Sequence, residues 1–77
     1  MTFIENDNRL EKIFEFNTYD DAIKFINKVA NISETVNHHP DILLFDYKYV
    51  KISSTTHDAG NTITAKDTYI TDLIDKI

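Results

Sequence analysis

The sequence predicts an α+β fold: a four-stranded antiparallel sheet with two helices on one face, in β-β-α-β-β-α order. Three observations carry this expectation. Apolar residues at Ala22, Phe25, Ile26, Val29, Ile32 and Val36 keep the three-four spacing of one buried helix face. Ile70, Leu73, Ile74 and Ile77 repeat that spacing near the C-terminus. Before and between these runs lie four short stretches rich in branched and aromatic residues, the composition that suits a pleated, half-buried strand.

In chain order, "TFIE" (residues 2–5) and "RLEKIFEF" (Arg9 to Phe16) read as strands one and two, with "NDN" between them as a hairpin turn. The first helix runs from Asp20 to about Val36. Thr18, with Asp21 three residues on, marks its start as a capping-box-like pair for orphan backbone N–H groups. Pro40 is expected to set its end, because proline disfavours helical geometry at His39 and donates no N–H. "LLFDY" and "VKISSTTH" follow as strands three and four, turning near Lys48 and Tyr49, and the only glycine, Gly60, lies in the turn-like "HDAGNT". The second helix spans Ala65 to Ile77, with Thr64 and Asp67 as its capping pair. Helices on one face leave the other open, with tyrosines and phenylalanines as its chief apolar candidates.

The 77 residues bound a single domain, residues 1–77, near the size at which one hydrophobic core is only marginally sufficient. There is no cysteine to supply a disulfide, so self-association as a homodimer or homotetramer is expected. The longest apolar run, Ile42 to Phe45, is too short to span a bilayer, and the N-terminus lacks a basic start and apolar stretch. The expected location is cytoplasmic, with no membrane partner. A net charge of -5, with eight scattered basic residues, argues against direct nucleic-acid binding, which needs clustered Lys and Arg.

Chemistry concentrates in "ETVNHHPDILLFDY", where two of the three histidines stand side by side before the only proline. Histidine can give or take a proton near neutral pH, so an adjacent pair is a candidate acid/base device. Neighbouring residues diverge in a helix, but the change of direction before Pro40 allows His38 and His39 to border one pocket. The alternative is that His38 only complements the negative end of the helix dipole while His39 is solvated. Glu34 precedes His38 by four residues, one helical turn, where a carboxylate can hold an imidazole; as an isolated feature it is a surface pair. Alternation along strand four puts His57 with Lys51, Ser53 and Thr55 on a polar, solvated row, and Asp67 occupies a position where carboxylates cap helices. The histidine spacing is not that of a metal site, and phosphate-binding, dinucleotide-binding and nucleophile-elbow motifs are absent.

Taken together, Glu34, His38-His39-Pro40, Tyr47, His57 and Asp67, at these spacings, resemble the signature of the pterin-4a-carbinolamine dehydratase family, and "STTHDAG" resembles that family's threonine-histidine turn. The resemblance spans roughly residues 9 to 77. It implies the same two-layer fold and dehydration of a 4a-hydroxytetrahydropterin to a quinonoid dihydropterin, the step that recycles the cofactor of aromatic amino acid hydroxylases. It implies no metal or organic cofactor. Carried over by position, the substrate contacts are His38, His39, Pro40, Thr56, His57, Asp58 and Ala59. His39 is the principal acid/base, His57 its counterpart, His38 a polariser, Glu34 the group orienting His38, and Asp67 a structural or site support. Three departures stand out: Ile42 where the family commonly has tryptophan, a turn between His57 and Asp67 that is one residue longer, and no sign of the additional N-terminal helix. The competing functions are a non-catalytic dimerisation module for a transcription factor, and a pterin-binding protein of molybdopterin metabolism.

Overall fold

The computed structural model describes residues 3–77. Among these, four strands form one antiparallel sheet: β1 (Ile4–Asn6), β2 (Arg9–Glu15), β3 (Asp41–Phe45) and β4 (Tyr49–Ser54), in the spatial order β1-β2-β4-β3. Two helices, α1 (Tyr19–Val36) and α2 (Ala65–Ile74), complete the predicted β-β-α-β-β-α order. The β1–β2 turn falls at Asp7 and Asn8, both at positive φ, which Asn and Asp tolerate better than other side-chain-bearing residues. Strand one is shifted from the expected "TFIE", whose Thr2 lies outside the described residues.

The apolar core is small. Ala22, Phe25 and Val29 of α1, Val50 and Ile52 of β4, and Ile70 and Ile74 of α2 are its buried members. Phe14 and Phe16 extend it, with ring centroids 4.7 Å apart for Phe14–Phe25 and 5.0 Å for Phe16–Phe25. Ile77, expected on the buried face of the second helix, lies past its end and is exposed. The helix stops at Ile74, so the three-four register no longer directs that side chain inward.

The open sheet face carries Ile4, Ile13 and Leu43, exposed at 64%, 52% and 55%, plus the stacked Phe45–Tyr49 pair. It is therefore more aliphatic than expected: Tyr19, Tyr47 and Tyr69 are exposed on α1, in a turn and on α2. Arg9 spans this face, donating to Asp41 at 2.9 Å and to Ser53 at 3.1 Å.

Three further points differ from expectation, and two of them shape the site. The end of α1 is set by Asn37, not Pro40. Asn37 adopts the left-handed conformation (φ 55°), and the N–H of His38 reaches back to the Ser33 carbonyl at 3.1 Å, a Schellman-type closure. β4 ends at Ser54, and His57 belongs to a short 3-10 turn, His57–Ala59, rather than to the strand. Ser53 and Thr55, expected on a solvated row, are buried. The third is the β3–β4 turn, which lies at Asp46–Lys48, with Asp46 and Tyr47 at positive φ. β3 accordingly runs Asp41–Phe45 instead of Leu43–Tyr47.

Candidate active site

Register brings the two chemical segments together. Asp41 of β3 pairs with Ser53 of β4, so the residues before Asp41 lie beside those after Ser53. Continuing that register, 41 with 53, sets 39 beside 55 and 38 beside 56. His38 and His39 arrive from the closed end of α1, while Thr56 and His57 leave the end of β4. The result is a cleft of about 230 Å³ lined by Asn37, His38, His39, Thr55, Thr56, His57, Asp58 and Lys66. All three histidines of the chain border it.

Asp67 is the group beneath this cleft. It sits in the first turn of α2 with none of its side chain exposed. Its Oδ1 accepts from Ser54 Oγ and from His38 Nε2, both at 2.6 Å; its Oδ2 accepts from Thr56 Oγ1 at 2.7 Å and from the Thr64 N–H at 2.9 Å. Burial alone pushes the Asp67 carboxyl up, but the hydrogen bonds from Ser54, His38, the Thr64 backbone and Thr56 together outweigh it and hold the carboxyl down at about 2. It is thus ionised at neutral pH and only accepts, so the shared proton sits on His38 Nε2 and a neutral His38 ring keeps its lone pair on Nδ1. Thr56 gives its single hydroxyl hydrogen to Asp67, so Thr64 donates in the 2.7 Å Thr56–Thr64 contact. The Thr64–Asp67 capping box expected from sequence is present in both halves.

Glu34 does not hold His38. It pairs with His39, Oε2 to Nε2 at 2.6 Å, on the exposed rim. The expected Glu34–His38 pair requires the helix to continue through residue 38, and the left-handed Asn37 rotates His38 inward to Asp67 and leaves His39 above Glu34. On the far wall, His57 Nδ1 meets Asn61 Oδ1 at 2.7 Å.

Of the expected contacts, His38, His39, Thr56, His57 and Asp58 line the cleft. Ala59 lines an adjoining depression that shares Thr56, Asp58 and Lys66 with it, and Pro40 lines neither. Sequence reasoning missed Asn37, Thr55, Lys66 and Asn61. Lys66 left a readable signal, since a cation in the first turn of a helix opposes the dipole and invites another explanation. A larger depression, about 460 Å³, lies on the open sheet face by Ile4, Ile13 and Lys51, with no histidine in its lining. Among the described residues, no three His, Asp or Glu side chains group in a way that could hold a metal ion.

Fold and cleft together define a class: a two-layer α+β protein with a histidine-lined polar site at the junction of one hairpin and two helix ends. The chain belongs to the pterin 4 alpha carbinolamine dehydratase family, whose model matches residues 2–77. A protein of Sulfurisphaera tokodaii, provisionally named a pterin-4-alpha-carbinolamine dehydratase, is 41% identical over 70 residues, 91% of this chain and 73% of that protein. A provisionally named one of Gloeobacter violaceus is 47% identical over 58 residues, 75% of this chain and 61% of that protein. A crystal structure from Brucella melitensis, described as a transcriptional coactivator/pterin dehydratase, superposes with a TM-score of 0.83 at 21% identity, covering 97% of this chain and 78% of that one; it supports the fold alone.

Proposed function

We propose that this chain, as one dehydratase-like unit, removes water from a 4a-hydroxytetrahydropterin to give the quinonoid dihydropterin. The observation that carries this reading is the convergence of all three histidines on one cleft, in a chain of this family. In the reaction a proton is delivered to the 4a-hydroxyl oxygen and the C4a–O bond breaks with loss of water. A proton leaves a ring nitrogen, whose electron pair forms the new C=N bond to C4a; one proton is gained and one lost.

His39 and His57 are the acid/base pair of this reading. The Glu34 carboxylate hydrogen-bonded to His39 supports that assignment, because it holds the ring in one orientation at the rim of the cleft. His38 is a polariser oriented by Asp67, with Thr56 and Asp58 in the cleft and Ala59 in the adjoining depression as substrate contacts. The substrate dehydrates unaided, so a modest apparatus is enough. The exposed Ile4, Ile13 and Leu43 favour a homodimer or homotetramer. Among the described residues no helix is long and apolar enough to cross a membrane, and the proposed site of action is the cytoplasm.

The test generates the carbinolamine in situ with a pterin-dependent hydroxylase and follows its ultraviolet decay. Faster decay with this protein, abolished by changing His39 and His57, is expected. Decay at the uncatalysed rate overturns the reading and favours a binding or adaptor role for the cleft.

A further inference from the structure

The turn after β4 holds a side chain whose role the dehydration scheme leaves open. Residues 56–62 form a closed loop: Thr56 bridges Thr62, with the Thr56 N–H donating to the Thr62 carbonyl at 3.0 Å, and the Asn61 N–H returns to the Thr56 carbonyl at 3.1 Å. Gly60 and Asn61 are both left-handed, at φ 81° and 58°. That geometry brings the Asn61 amide back over the imidazole four residues earlier, where Oδ1 meets His57 Nδ1 at 2.7 Å.

We infer that Asn61 is a positioning residue that fixes the tautomer of His57. An amide oxygen only accepts, so Nδ1 carries the proton and Nε2 keeps the lone pair, in a ring that lines the cleft. Free neutral histidine in water prefers the opposite tautomer, with the proton on Nε2. The loop therefore selects the less common form, the one in which Nε2 can take a proton from substrate. His38, held by Asp67, keeps its lone pair on Nδ1, so the two rings present different nitrogens. Asp58, Lys66, His38 and His39 are the other ionisable groups bordering the cleft with His57. The catalytic half of this inference, that Nε2 of His57 is the proton acceptor, rests on the proposed dehydration; the tautomer does not.

The test is a long-range proton–nitrogen correlation spectrum of the imidazoles in the nitrogen-15-labelled full chain without substrate, at a pH where the ring is neutral. The His57 signals are assigned by their loss in His57→Gln. In the unmodified chain Nδ1 is expected in the protonated range and Nε2 in the unprotonated range. Asn61→Gly keeps the left-handed backbone available and removes the amide, so the pattern should move toward the Nε2–H form. Asn61→Asp restores an acceptor and should restore the Nδ1–H form. In the decay assay, Asn61→Gly should lower kcat by about tenfold with KM little changed, and Asn61→Asp should recover most of it, as for partners that orient a functional imidazole. A His57 ring already in the Nε2–H form, or one unchanged in Asn61→Gly, overturns the inference whatever the activity. A normal tautomer shift with no acceleration in any variant, the unmodified chain included, overturns the dehydration reading instead.

Discussion

Asp67 concentrates the electrostatic risk of this molecule in one side chain. A fully buried carboxylate is costly unless every lone pair is met, and here four donors meet it. Its folded-state value of about 2 lies below the ordinary 3.8, so it contributes stability that is fully present above about pH 4 and lost as pH falls through about 2. The lowering corresponds to about 2 kcal/mol. Urea denaturation at pH 5, 3 and 2 should show that loss, and Asp67→Asn should flatten this acid limb while costing about 3 kcal/mol at pH 7. An acid limb equally steep in Asp67→Asn would place the acid sensitivity elsewhere. The rim histidines have a different signature. His39→Ala and His57→Ala should each slow dehydration by on the order of tenfold to a thousandfold, and the double change should cost much less than the product. Both side chains are exposed, so melting should shift by less than about 1 kcal/mol. Multiplicative rate losses would mean that the two act independently.

Two element ends position the site, and each depends on one residue. Asn37 closes α1 in a left-handed conformation that releases His38 toward Asp67. Asn37→Ala should cost about 1 kcal/mol, since alanine resists that geometry, whereas Asn37→Gly should be nearly neutral. If urea midpoints for the two variants coincide, the closure is not what holds the helix end. At the start of α2, Thr64 accepts from the Lys66 N–H and hydrogen-bonds to Thr56. Thr64→Ala should therefore exceed the ~1 kcal/mol of an ordinary cap loss, because it also strips a partner from a buried hydroxyl. Pro40 keeps a smaller part than its place in the sequence suggests: it leads into β3 and, as any proline does, disfavours helical geometry in the residue before it, but it does not terminate the helix.

Across the molecule, the balance of the interior explains why association is expected. Among the described residues, buried Ser33, Ser53, Ser54, Thr55, Thr56, Asp67 and Thr71 equal in number the seven buried apolar residues, so much of a small interior is polar. No buried side-chain polar atom among the described residues lacks a partner, which makes that interior specific rather than strongly stabilising. The open face with Ile4, Ile13 and Leu43 is the surface that a second copy can cover. Sedimentation at micromolar concentration should give a species heavier than the 9.0 kDa chain, and Ile13→Glu should lower that mass if this face is the contact. A 9.0 kDa species alone would count against the proposal.

Both helices, their capping threonines and the Asp7-Asn8 turn were readable along the chain because each rests on residues within a few positions of one another. The Asp46–Lys48 turn was misplaced because Tyr47 is not a residue that advertises positive φ. His38, His39, Thr56, His57 and Asp58 of the cleft's lining were legible in the sequence, but Asn37, Thr55 and Lys66 were not, and neither were the partnerships of the histidines. Reading Glu34 against His38 assumed one more residue of helix than Asn37 permits. The true partner of His38 is 29 residues away and faces it only once β3 has paired with β4 and α2 has docked. Local spacing encodes which side chains a helix or turn can hold together. Which imidazole meets which carboxylate depends on strand register and on one left-handed residue, and these are settled by packing over the whole chain.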